Sequence, residues 1–146
     1  MATLLPDIMA IMALLVGLPT EPSLQCHKEW ELLQGRWEIQ RAVMFGDQMS
    51  QSHISFKGDV IITRQSILDG EDFASAATYV IDWSSTPRRI DIRTSAGQSY
   101  LGVFELRGDT LTLCWSVSGK ERPNGFESKK HSDNIVFVAK KRPSPR

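Results

Sequence analysis

Several ingredients that active sites need are missing from this sequence. It has only two cysteines, Cys26 and Cys114. They form no Cys-x-x-Cys, so structural zinc and thioredoxin-type redox chemistry have no footing. The three histidines, His27, His53 and His131, are scattered, and none has a partner four residues away to make a metal-binding helix face. Neither a Gly-x-Gly-x-x-Gly nor a Walker A pattern occurs, which removes the usual phosphate cradles, and no cofactor is expected. Seventeen Lys and Arg balance seventeen Asp and Glu, so no global charge draws the chain to nucleic acid or to an anionic membrane.

What charge there is lies unevenly. From Lys120 onward eight basic residues face three acidic ones, whereas residues 1–119 carry nine against fourteen. The basic end reads as a solubilising tail, with Pro143 and Pro145 stopping the last strand. The apolar run Ile8–Leu18 is too short to span a bilayer, so no stable membrane span is expected. It has the length of a signal-peptide core, and a Pro-rich stretch with room for cleavage follows. Against that, the preceding residues hold Asp7 and no Lys or Arg, so an apolar N-terminal helix packed on the domain is the rival reading. The first reading predicts export to the cell envelope or beyond; the second leaves the protein in the cytoplasm.

At 41% hydrophobic residues the chain can fill a core. Residues 26–34 read as a short helix, with Trp30 and Leu33 on one face and Gly35 able to end it. The hydrophobic period then changes to two. Trp37, Ile39 and Val43 point one way in this reading, with Arg41 interrupting. Further strands are expected at 54–56, 60–64, 78–83, 89–94, 100–106, 110–117 and 134–140, with a brief one at 125–128. Turn residues separate them. Asp69 to Asp72 reads as a solvated acidic loop without the ligand spacing of a calcium site. About eight short strands in consecutive hairpins predict an all-β, antiparallel up-and-down barrel, because closure leaves no unpaired edge. The expected organisation is a leader over 1–25, a helix over 26–34, a barrel over 35–142 and a basic tail over 143–146.

Two stretches carry a resemblance. The segment LQGRWE at 33–38 resembles the opening strand of lipocalin-like barrels, where Gly-x-Trp marks the barrel floor. With YLGVFELRGDTLTLC at 100–114 and GKERPNGF at 119–126, residues 28–142 resemble a small domain of unknown function common in Planctomycetes. Trp115 to Ser118 depart from that pattern, where Pro-containing loops are more usual. The resemblance implies a lipocalin-like (calycin-like) barrel, often exported, and supplies no activity. It also implies that Trp37 plugs one end beneath a cation. Lys140, Arg142 and Arg122 are the candidates, Arg122 being aimed inward by the stiff Arg122–Pro123 step.

No catalytic constellation emerges. His131, Ser132 and Asp133 are adjacent in sequence, which is the wrong geometry for a triad. Cys114, on a strand of Leu and Thr, reads as a buried inert thiol. Arg64 and Arg93 read as outer-wall residues, with a place at a barrel mouth as the alternative. The aromatic residues Tyr79, Trp83, Tyr100, Phe104 and Trp115 either line a pocket for a small apolar or amphipathic ligand or fill the barrel. The functional expectation is therefore a non-enzymatic binder of such a ligand. The alternative is a structural or protein-interaction module with a filled core.

Overall fold

The computed structural model describes residues 21–50, 59–70 and 76–144. One helix, α1 (Glu21–Leu33), precedes nine strands: β1 (Gly35–Met44), β2 (Asp47–Gln48), β3 (Val60–Ile62), β4 (Ser66–Asp69), β5 (Ala77–Asp82), β6 (Arg88–Thr94), β7 (Ser99–Arg107), β8 (Thr110–Ser116) and β9 (Asn134–Lys141). Every pairing is antiparallel. The order runs β1-β3-β4-β5-β6-β7-β8-β9, and β9 pairs back onto β1, so eight strands close a barrel while β2 adds a short extra ribbon to β1. No helix among the described residues is long and apolar enough to cross a membrane.

The helix begins at Glu21 rather than at residue 26. Cys26, Glu29, Trp30 and Leu33 recur at helical spacing and form its less exposed side. Gly35 makes the turn from helix into β1 with a φ of +135°, a conformation that side-chain-bearing residues rarely adopt.

Strand β1 departs from the simple alternation expected of it. The register with β9 shifts between Ile39 and Arg41, the mark of a β-bulge. The extra residue flips the phase. Trp37 and Ile39 point inward, as do Ala42 and Met44 beyond the bulge, while Val43 turns outward to join a second cluster. The Arg41 interruption in the pattern is therefore the bulge itself.

Three further expectations are corrected. Residues 60–64 do not form one strand: the chain turns at Thr63, whose Oγ1 accepts from the backbone N–H of Gln65 and Ser66, and β4 follows. Asp69 is not part of a solvated loop but ends β4, only 3% exposed. Residues 125–128 form no strand. Phe126 instead packs against Val103, Cys114 and Val136 on the outside of the barrel. The strand expected at 54–56 and the acidic residues Glu71 and Asp72 lie outside the described residues.

The interior holds two apolar clusters. One centres on Leu33, Trp37, Tyr79, Ile90 and Phe104. The other gathers Ala42, Ile135 and Phe137 with Trp115 and Met44 around them. Helix α1 seals the end of the barrel nearest the first. The loop from Val117 to Asp133 and the β1–β2 hairpin lie at the opposite end.

Candidate functional site

Three regions hold the chemistry that the sequence singled out: the helix-sealed end, the interior, and the long loop between β8 and β9. At the sealed end, Trp37 is fully buried and its Nε1 donates to Leu33 O at 2.8 Å. The cation over its ring is Lys141, with Nζ 5.5 Å from the ring centroid, and not Lys140, Arg142 or Arg122. Strand alternation explains the choice. Ile135, Phe137 and Ala139 face inward, so Lys141 shares their side while Lys140 faces out. That signal was available in the sequence. Lys141 Nζ also donates to Leu32 O at 2.6 Å, tying the last strand to the helix end, and burial lowers its pKa.

Further bonds seat the helix. Arg88 grips Glu29 with both arms of its guanidinium, Nε to Oε2 and Nη2 to Oε1, each at 3.0 Å, and also donates to Trp83 O. This pair holds the Glu29 carboxyl below its usual range, the Arg88 hydrogen bond being the main cause. The Tyr79 hydroxyl accepts from Trp30 Nε1 at 3.0 Å and donates to Thr63 O at 2.6 Å. Arg64 lies over the Trp30 ring, 5.1 Å from its centroid, so this arginine belongs to the sealed end. Arg93 faces outward from β6, exposed.

The aromatic residues proposed as ligand contacts do not surround one pocket. Tyr79 and Phe104 are core residues beside the helix, and Trp83 meets Phe104 edge-to-face at 6.0 Å. Tyr100 is half-buried, its hydroxyl donating to Gln98 Oε1 at 2.9 Å. Trp115 belongs to the other cluster and stacks on Phe137 at 4.5 Å. Between Leu33, Ile62, Tyr79, Ile90, Phe104 and Leu111 remains a void of about 10 Å³. That is about the space one water molecule requires, far below the roughly 300–1,000 Å³ of small-molecule sites.

Neither Cys114 nor Ser132 is placed as a free nucleophile. Cys114 is fully buried, and burial pushes its thiol up to about 11, which keeps it protonated and inert at neutral pH. Both cysteines are free thiols. Ser132 Oγ accepts from Lys129 N–H at 2.8 Å and donates to Lys129 O at 3.0 Å, a turn contact rather than part of a triad. Among the described residues no three His, Cys, Asp or Glu side chains gather as a metal site.

Arg122 turns up somewhere the sequence did not suggest. It does not cover Trp37. Its Nη1 donates to Gly102 O at 2.8 Å and to Ile90 O at 3.2 Å, and its Nη2 meets Asp91 Oδ1 at 2.6 Å. It therefore clamps the long loop across β6 and β7. Pro123, next to it, is buried. Beyond this clamp the loop borders an open cleft of about 440 Å³, with Asn124, Phe126, Glu127, Lys129, Ser132 and Asn134 along it. No residue pattern announces this cleft, because its walls come together only when the loop folds over the barrel's outer face.

Comparison of the chain with protein-family models, with curated proteins and with solved structures gives no match.

Proposed function

We propose that this chain is a non-enzymatic binding module whose barrel is a filled scaffold and whose partner or ligand meets the outer surface. The observation that carries this reading is the interior void of about 10 Å³, which has no room for a small apolar ligand. The cation over the buried Trp37 supports the lipocalin-like likeness, and the resemblance to the planctomycetal domain remains part of the proposal. In that likeness the Gly-x-Trp end serves as a plug. Export is part of the proposal too, resting on the apolar run Ile8–Leu18.

Native mass spectrometry of the full-length chain, purified from cell extract without harsh washing, tests both points. The expected spectrum is that of the protein with nothing bound. A retained apolar molecule would sink the filled-scaffold reading. The same mass shows whether the leader has been removed: its loss supports export, and a full-length chain found only in the cytoplasm counts against it.

A further inference from the structure

The cleft in the β8–β9 loop has the make-up of a site for a neutral, polyhydroxylated ring. Its volume of about 440 Å³ falls within the range of small-molecule sites. Its one aromatic wall is Phe126. That ring lines the cleft and also packs against the cluster of Val103, Cys114 and Val136, so its position is fixed from behind. The other walls are polar. Asn124 offers an amide with both donors and an acceptor, Asn134 keeps one amide N–H and its carbonyl oxygen beyond its bond to Glu127 O, and the Ser132 hydroxyl, bonded to Lys129 N–H and O, keeps one acceptor lone pair. The two charged walls, Glu127 and Lys129, pair with each other at 3.5 Å, so the cleft carries no net charge to select an ion. An apolar ligand would strand these polar groups, and an anion would meet Glu127.

The loop is also held in shape before any ligand arrives. The Arg122 clamp fixes its near side. On the far side Gly46 N–H donates to Ser128 Oγ at 3.2 Å, Asn134 Nδ2 donates to Glu127 O at 3.4 Å, and Val117 N–H donates to Asp133 O at 2.8 Å. Such preorganisation lowers the entropic cost of binding.

We infer that this cleft binds a saccharide: one pyranose ring lies with its C–H face on Phe126 while its hydroxyls bond Asn124, Ser132 and Asn134. A sugar ring has the matching pattern of one apolar face and a rim of groups that both donate and accept. This inference rests on the reading that binding happens outside a filled barrel. Arg122 acts in it as a positioning residue that does not touch the sugar.

The test is titration of the ¹⁵N-labelled full-length chain with glucose, galactose, N-acetylglucosamine, cellobiose and inorganic phosphate, followed by amide chemical shifts. At least one sugar is expected to give saturable shifts at Asn124, Ser132 and Asn134, side-chain amides included. Asn124 is exposed and its side chain makes no hydrogen bond among the described residues, so Asn124→Ala should leave the melting temperature unchanged. It should weaken that sugar by about tenfold, the loss of roughly one hydrogen bond. Phe126→Leu, which keeps a large apolar side chain in the cluster behind it, should weaken it by a similar factor. Absence of saturable shifts from every sugar overturns the inference and leaves the filled scaffold standing. So do cleft shifts that neither variant changes, or phosphate binding there in place of sugar. Saturable shifts at Tyr79, Phe104 and Leu111 overturn this inference and the filled-scaffold reading together.

Discussion

At the helix-sealed end of the barrel, large side chains are buried and their polar atoms are bonded to one another. Trp37 bonds Leu33 O, Tyr79 joins Trp30 to Thr63, and Arg88 holds Glu29 with two hydrogen bonds. At the loop end the Glu127–Lys129 pair is exposed, Asp91 in the Arg122 clamp is more than half exposed, and the hairpin tip holds Phe45 in a left-handed backbone conformation. The first end spends its chemistry on closing the fold. The second leaves amide, hydroxyl and charged groups facing solvent around a cleft. A protein that carried its ligand inside would need one open mouth and an empty barrel. Here a helix lies against one mouth and the void beside Leu33 and Phe104 holds only about 10 Å³, which is why the proposed reading places recognition on the outer surface.

The largest difference between the ends should appear on truncating their aromatic residues. Trp37→Ala removes a fully buried indole, its bond to Leu33 O and the surface beneath Lys141. The expected loss is about 3–5 kcal/mol, typical of Trp→Ala in a core. Urea denaturation reads it directly. A loss below about 1 kcal/mol would mean that the plug is not what holds this end closed, since that is the range of unremarkable substitutions.

A smaller difference should appear with acid. Arg88 holds the Glu29 carboxyl below its ordinary value of 4.5. A carboxylate with a depressed folded-state pKa contributes stability in full above its unfolded value. That contribution fades as pH falls through the folded-state value. Melting temperature should therefore fall below about pH 4.5 more steeply in the parent than in Glu29→Gln. Both side chains are about a quarter exposed, so solvent screening keeps the effect to about 1 kcal/mol. At the loop end, Glu127→Gln should leave the melting temperature at neutral pH unaltered, because both partners of that pair are 77% exposed. Parallel profiles for the parent and Glu29→Gln would show that the Arg88 grip adds nothing to the seating of the helix.

The two ends were also unequally legible in the sequence. Alternation was clean in β6, where Ile90 and Ile92 are buried, and at the Gly108–Asp109 hairpin between β7 and β8. Those elements could be read because Ile90 and Ile92 alternate with polar residues and glycine marks the turn. β4 was hidden because its turn is made by the Thr63 hydroxyl, with neither Gly nor Pro to announce it. The bulge in β1 was visible only as a misplaced Arg41, since a pattern of polar and apolar residues does not reveal a flip of face. At the sealed end Gly35, Trp37 and the helix before them followed local rules. At the loop end, Arg122 was drawn to carbonyls on β6 and β7, far away in sequence, and no local rule carries that information.

The smallest difference runs in the opposite direction. Phe45 has a φ of +54° and Gly46 a φ of +79°, and together they form the two-residue link between β1 and β2. Both residues of such a turn need left-handed backbone, which suits Asn-Gly and costs a bulky residue about 1–2 kcal/mol. The Phe45 ring, 46% exposed, recovers only part of that through burial. Phe45→Asn should therefore stabilise the protein by up to about 1 kcal/mol, or raise the melting temperature by about 2–4 °C. Truncation at the sealed end would then cost stability while truncation at the loop end adds it. A lower melting temperature for Phe45→Asn would show that the exposed ring contributes more packing than the turn strain it imposes. The loop end would then share in holding the fold together, and the contrast between the two ends would weaken.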